Sequence, residues 1–338
     1  MIIIRALLLK LLKMPGISII FITFFLITGS AFSIHLIEPE TFASPFDGLW
    51  WVMTTITTVG YGDLYPKTVG GRIYAFFLFL TGIGLISLTI GKILDAFTLY
   101  HKRMEEGKLE YKRKDHIILI GWSKKAQLAI QEIRSTYPKK GIVIIDKLEK
   151  APIIEKNIQF ISGSPLDTPT LDKANLKEAH SVIIFADEKM MDCDLADNKS
   201  AAIAVKIEGL AAHVRTIVEV LSKDHLDIFK YTKVDDFIFP HETISHLAVR
   251  SAFSDGISTL FTQLVSNQVG PDVFEIQPRI EWRTYNDAFQ ALLAQGATLI
   301  SAGDDLTINS RLNEPIPPNE RLFVICSKEV YAKLKIPQ

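Results

Sequence analysis

The chain has 338 residues, 37 Lys+Arg against 38 Asp+Glu, and a mean hydropathy of +0.21. Its length allows two or three domains, its balanced charge gives no basis for a nucleic-acid partner, and its hydropathy excludes a disordered chain. The two cysteines, Cys193 and Cys326, can build neither a disulfide framework nor a structural zinc site.

Nearly all of the apolar excess lies in the first 100 residues. The opening MIIIRALLLKLLKM, within residues 1–16, reads either as an interfacial segment or as an extension of the first membrane helix. Residues 17–37 contain no Asp, Glu, Lys or Arg, and at about 1.5 Å per residue they cover the roughly 30 Å of a bilayer core. A second helix is expected over 72–97, around the uncharged stretch 73–91. A cleaved signal peptide is a poor alternative for the first span, because no small-residue cleavage site follows it. Lys and Arg cluster before the first span and after the second, with only Lys67 between, so both termini are expected to be cytoplasmic in a cell-membrane protein.

Between the spans, residues 47–57 form a short apolar helix too brief to cross a bilayer, followed by Thr58-Val59-Gly60-Tyr61-Gly62-Asp63. An ordinary turn is the plain alternative. The run TVGYG, however, resembles the filter of potassium channels. A potassium ion that sheds its water needs replacement oxygens, and backbone carbonyls on a shared axis supply them. Gly60 and Gly62 can take the positive φ angles that aim successive carbonyls alike. The resemblance implies potassium at Thr58, Val59, Gly60 and Tyr61, with Tyr61, Trp50 and Trp51 bracing the filter from outside. One chain supplies a quarter of the coordination, so the reading requires a homotetramer. Gly82 and Gly84 in the inner helix serve either as a gating hinge or for close packing. No spaced Arg series stands in the membrane, which excludes a voltage sensor.

Residues 98–115 read as a polar linker or helical stalk, in which Met104 could start a free cytoplasmic fragment. From 116 the periodicity changes. HIILI (116–120), IVIID (142–146), IQFIS (158–162), SVIIF (181–185), VRTIVEV (214–220) and DFIFP (236–240) alternate with helical stretches, the pattern of a parallel, doubly wound α/β sheet. Gly121 ends the first strand and Asp146 the second, the layout of a dinucleotide fold, but Gly121-Trp122-Ser123-Lys124 lacks the second glycine of the phosphate fingerprint. Gly121, Ser123, Lys124 and Asp146 remain the candidate nucleotide contacts. Downstream, Asp187, Glu188 and Asp192 belong to a run of five carboxylates at the end of a parallel strand, either a divalent-cation site or a solvated helix start.

Following a pore, this half resembles the regulator-of-potassium-conductance (RCK) domain, and the whole chain is similar to two-span prokaryotic calcium-gated potassium channels. The resemblance implies a membrane α-helical pore, a cytoplasmic Rossmann-like domain over 116–240, a crossover helix and helix-turn-helix over 241–269, and a small C-terminal α/β lobe over 270–338. It also implies an octameric ring, four domains attached and four supplied free. In the family an acid follows the third strand; here Ser164 takes that place, with Asp167 the nearest substitute. The reading is a ligand-gated potassium channel, not an enzyme, since no nucleophile is paired with a base. Its ligand is a divalent cation such as calcium or, alternatively, a nucleotide (NAD, ADP/ATP or a cyclic dinucleotide). A regulatory subunit of a potassium transporter and a membrane-anchored oxidoreductase are the readings from other classes, and neither accounts for the filter sequence.

Overall fold

The computed structural model describes residues 14–266 and 270–334. The expected interfacial segment therefore lies, except for residues 14–16, outside the described residues. The chain divides after Arg103 into two compact units.

Among the described residues the first unit contains α1 (Gly16–Ile37), α2 (Pro45–Ile56) and most of α3 (Val69–Glu105). Among the described residues α1 and α3 are long and apolar enough to cross a membrane. The short helix α2 starts two residues before its expected first residue, 47. Asp47 is the third residue of a capping box: the Ser44 hydroxyl accepts from the Asp47 N–H at 3.2 Å, and the Asp47 carboxylate accepts from the Ser44 N–H at 2.9 Å. Gly48 lies so close to the Ala31 carbonyl of α1 that a Cβ would collide with it. The core of this unit gathers Ile34, Phe42, Trp51, Val52, Ile56, Ala75 and Leu78. Within the apolar packing one polar pair joins the spans, Thr23 to Thr89 at 2.7 Å.

The expected inner helix, 72–97, is also extended. It runs from Val69 to Glu105, absorbing the first part of the stretch read as a linker. No glycine or proline interrupts residues 92–106, and the helix stops just before Gly107, whose φ of 62° is left-handed.

The second unit is built on six parallel strands in the order β3-β2-β1-β4-β5-β6. They are β1 (His116–Ile120), β2 (Ile142–Asp146), β3 (Ile158–Ser162), β4 (Ala179–Ile184), β5 (Arg215–Glu219) and β6 (Asp236–Ile238). Helix α4 (Lys124–Thr136) follows β1, α5 (Thr168–Lys173) follows β3, and α6 (Cys193–Ala211) follows β4. Strand β1 is buried along its whole length because both faces are covered. Ile117 and Leu119 pack with Ile130 of α4, whereas Ile118 and Ile120 pack with Ile203, Ala204 and Ile207 of α6. Helices α7 (Pro240–Phe253) and α8 (Ile257–Val265) then meet at Gly256, which has φ 83°, and neither buries a residue.

A separate core centred on Trp282, Tyr285, Leu292, Leu322 and Val324 fills the C-terminal lobe. Its sheet is antiparallel, in the order β7 (Asp272–Ile276), β9 (Leu322–Cys326), β8 (Thr298–Ala302). Strand β8 and the preceding helix α9 (Tyr285–Ala294) were not foreseen from the sequence; α10 (Lys328–Leu334) ends the described chain.

Gly107 combines its left-handed φ with a backbone that presses on the Ser162 N–H and the Phe160 ring. Gly107→Ala is expected to destabilise the protein by about 2 kcal/mol or more, from the conformational penalty and overpacking together. Gly209→Ala, in α6 with open space around it, is expected to stabilise by about 0.5–1 kcal/mol. Thermal unfolding of the purified full chain checks both, and equal midpoints for the two variants would contradict the account.

Candidate functional site

Two places merit description, one in each unit. The first is the loop that leaves α2. The N–H groups of Val59 and Gly60 both donate to the Thr54 carbonyl, at 2.9 and 3.0 Å, and that of Thr58 donates to Thr55 at 3.0 Å. The amides of the loop are thus fixed to the end of the short helix. The carbonyls of Thr58 to Gly62 accept no hydrogen bond from any other described residue. Thr58, Gly60 and Gly62 have φ of 62°, 54° and 75°, while Val59 and Tyr61 are not left-handed. Alternating hand turns successive carbonyls to one side, where a strand would point them to opposite sides. Gly60 and Gly62 have nothing within 4 Å of a Cβ position. Backbone conformation, not space, requires glycine there.

Trp50 and Tyr61 stack with ring centroids 5.7 Å apart, and the Trp50 indole N–H donates to the Asp63 carboxylate at 2.8 Å. That hydrogen bond holds the Asp63 carboxyl below its ordinary range. Trp51, expected beside Tyr61, is instead buried against Phe42 at 5.4 Å. Neighbours on a helix point about 100° apart, so only one of the two tryptophans can face the loop. Behind it, Gly82 of α3 faces Ile56, whose Cγ2 would lie 2.6 Å from a Cβ at that position, whereas Gly84 has open surroundings.

Glu38, just past α1, is a contact that sequence reasoning missed. Its carboxylate accepts from the N–H groups of Lys67 and Thr68 at 3.0 and 2.6 Å and from the Thr68 hydroxyl, and it is buried. The Thr68 hydroxyl in turn accepts from the Gly71 N–H at 3.0 Å, so one acid ties the end of α1 to the start of α3.

The second place is a cavity of about 300 Å³ at the C-terminal ends of β1, β2 and β4, where the strand order reverses. Gly121, Ser123 and Asp146 line it, as do Trp122, Phe185 and three lysines, Lys147, Lys189 and Lys199. Asp146 accepts from the Trp122 N–H at 2.7 Å through Oδ2. Ser123 caps α4, accepting from the Ala126 N–H. Lys124 is not part of the lining; it bonds Gln127 at 3.4 Å along α4. Its neighbour Lys125 turns inward and reaches both oxygens of the buried Glu219 at 2.7 Å.

The acidic run does not converge. Asp187 pairs with Lys199 at 2.5 Å, Glu188 lies 3.4 Å from Lys125, and Asp192 caps α6. Burial works against the charge of Asp187, but the Lys199 ammonium and the Lys189 N–H outweigh it and keep its carboxyl low. The fully buried Asp197 accepts from the Leu221 and Ser222 N–H groups and contacts His225 Nδ1 at 2.7 Å. Asp167 heads α5 without a side-chain capping bond. Among the described residues no group of three or more His, Cys, Asp or Glu side chains is placed to hold a metal.

Residues 20–99 match the ion-channel family and residues 117–240 the TrkA-N domain family. The chain is 38% identical over 190 residues to the "Putative potassium channel protein YugO" of Bacillus subtilis, covering 56% of this chain and 57% of that one. It is 25% identical over 234 residues to the calcium-gated potassium channel TvoK of Thermoplasma volcanium, covering 69% and 67%. The human SLO3 gating ring shares the fold, with a TM-score of 0.52 at 16% identity over 65% of this chain and 46% of that one. The chain thus joins an ion-channel segment, with the TVGYG run between its two apolar helices, to a TrkA-N domain, and it spans little more than half the length of the Bacillus potassium channel protein it resembles.

Proposed function

We propose that this protein is a potassium-selective channel, assembled as a tetramer around the Thr58–Gly62 loops and gated by a ligand bound to its TrkA-N domain. The observation that carries the reading is the row of carbonyls at 58–62, unpartnered among the described residues, in a loop whose backbone alternates in hand. Carbonyl oxygens without donors are costly unless a cation or water satisfies them, and four such rows about an axis reproduce the hydration shell of a potassium ion. The excess of Lys and Arg flanking the spans supports cytoplasmic termini. The reading is one of conduction, with no catalytic step.

For the ligand, the cavity at the sheet ends favours a nucleotide. Asp146 keeps Oδ1 free of hydrogen bonds from described residues, which suits a ribose hydroxyl. Trp122 and Phe185 offer apolar walls, and the lysines offer charge for phosphates. Calcium is the second reading, favoured by the name of the Thermoplasma relative. It requires Asp187 and Glu188 to leave their lysine partners and gather with Asp192. An octameric ring would follow from family resemblance, with α7 and α8, which bury nothing in one chain, as the pairing surface.

The pore reading is tested by ion flux from liposomes holding the purified protein. Potassium flux well above sodium flux is expected, and Gly60→Ala should reduce it at least tenfold, since each subunit takes a left-handed penalty of about 1–2 kcal/mol. Non-selective flux, or full flux in the variant, would overturn it. Trp50→Phe keeps the ring stack and removes only the bond to Asp63. It should shorten open times or weaken selectivity without lowering tetramer yield. For the ligand, ADP or NAD should change the flux, and Asp146→Asn should weaken the NAD response about tenfold, the worth of one charged hydrogen bond. A response to calcium alone would replace the nucleotide reading and leave the pore reading intact.

A further inference from the structure

A second cavity, of about 430 Å³, lies at the opposite end of β1, where residues 111–115 enter the sheet and the loop after α4 passes beneath them. Tyr111, Arg113, Lys114, Lys139 and Lys140 line it, with Asp115 as the only acid. Asp115 is already used, pairing with Lys140 at 2.7 Å and with His180 at 3.1 Å. Lys114 reaches Glu178 at 3.1 Å on the surface. Arg113 bonds only the neutral Asn157 side chain, at 2.8 Å, and Lys139 pairs with no acid among the described residues. Two cations of the lining therefore lack a counter-charge.

Tyr111 is the more telling residue. Its side chain is nine-tenths buried, at 7% exposure, yet its hydroxyl has no hydrogen-bond partner. The ring lies against His116, centroids 4.4 Å apart, and the hydroxyl sits at the α-carbon of Gly141, where any side chain would collide with it. A buried hydroxyl is normally satisfied, and an orphan in a positively lined cavity calls for an acceptor. The dipole at the end of α4 accounts for lysines at 139 and 140. It does not account for a partnerless hydroxyl or for the glycine that makes room for it.

We propose that this cavity is a binding site for a phosphate oxyanion, held by Arg113 and Lys139 and accepting a hydrogen bond from the Tyr111 hydroxyl. It is distinct from the nucleotide cavity, which lies at the other ends of the strands. The phosphate can belong to a soluble metabolite or to an anionic lipid headgroup. Because Tyr111 and Arg113 stand in the segment that follows α3, occupancy would stiffen the connection between the membrane helix and the sheet.

The test uses the full chain carrying Lys147→Gln, Lys189→Gln and Lys199→Gln, which removes the three lysines of the other cavity. Thermal unfolding is followed against inorganic pyrophosphate in one arm and, in the other, in bicelles with and without phosphatidylglycerol. A rise in midpoint is expected in at least one arm: the pyrophosphate arm identifies a soluble source, and the lipid arm alone a headgroup. Arg113→Gln should weaken the response about tenfold, the loss of one charged hydrogen bond. Tyr111→Phe should weaken it while leaving the ligand-free midpoint equal or higher, because it deletes an unsatisfied group. No rise in either arm, an undiminished response in both variants, or a Tyr111→Phe midpoint that falls without ligand would each overturn the proposal.

Discussion

The first unit is organised around the fixing of three filter amides to the last turn of α2. Once Thr58, Val59 and Gly60 have donated inward to Thr54 and Thr55, their carbonyls have no donor left in the chain. A backbone acceptor in that position must be met by something else, and in the proposed channel a potassium ion is that partner. The supporting contacts then follow in order. The capping box at Ser44 and Asp47 fixes where α2 begins, Gly48 lets it approach α1, and the Trp50–Asp63 bond holds the far end of the loop. Glu38 fastens the segment beyond the loop to α1 and α3 together. Each contact removes a freedom that would let the carbonyls rotate away from their common side.

The sheet ends follow the opposite rule, because there the charges are internally neutralised. Lys199 meets Asp187, Lys125 meets Glu219 with Glu188 nearby, and Asp197 is satisfied by two N–H groups and His225. A cation entering here must displace ammonium groups already in place, whereas a ligand with phosphates and hydroxyls can add to them. The energy demanded is modest. Shifting a gate from 1% to 99% open would take about 5.5 kcal/mol, which over the four chains of the proposed tetramer is about 1.4 kcal/mol each, a tenfold preference per site.

What the sequence made legible was whatever the backbone alone determines: apolar runs of bilayer length, the positive-φ glycines at 60 and 62, and the strand positions. What it hid were choices between neighbours. Lys124 and Lys125 are adjacent on α4, as Trp50 and Trp51 are on α2, and a turn of about 100° sends Lys125 to Glu219 and Trp50 to Tyr61 while their neighbours point elsewhere. Composition cannot decide which. The sequence left the length of α3 open between a linker and a helical stalk for a different reason: residues 98–105 are exposed on every side but Met104, so they carry no apolar stripe to mark a helix. Glu219 and Asp197 were hidden because their partners are main-chain N–H groups and side chains distant in sequence, brought together only by the parallel sheet.

The choice between tether and helix bears on how force could travel in the proposed gated channel. Read as a loose tether, residues 98–115 would absorb any movement of the sheet before it reached the membrane helix. In the structure α3 continues to Glu105, and the chain beyond is bonded to the domain almost at once. The Glu105 carbonyl accepts from Ala151 N–H at 2.6 Å, Gly107 from Ser162 at 3.1 Å, and Leu109 from the Gln159 side chain at 2.8 Å. The Tyr111 and Asp115 N–H groups donate to Lys173 and Glu178, each at 2.8 Å. Five such bonds over eleven residues leave little slack, so a displacement of β3 or the loop before β4 must move the end of α3 with it or break them. Within the second unit, the chain that leaves α3 is thus held to the sheet and its flanking turns rather than hanging from them as a loose tether.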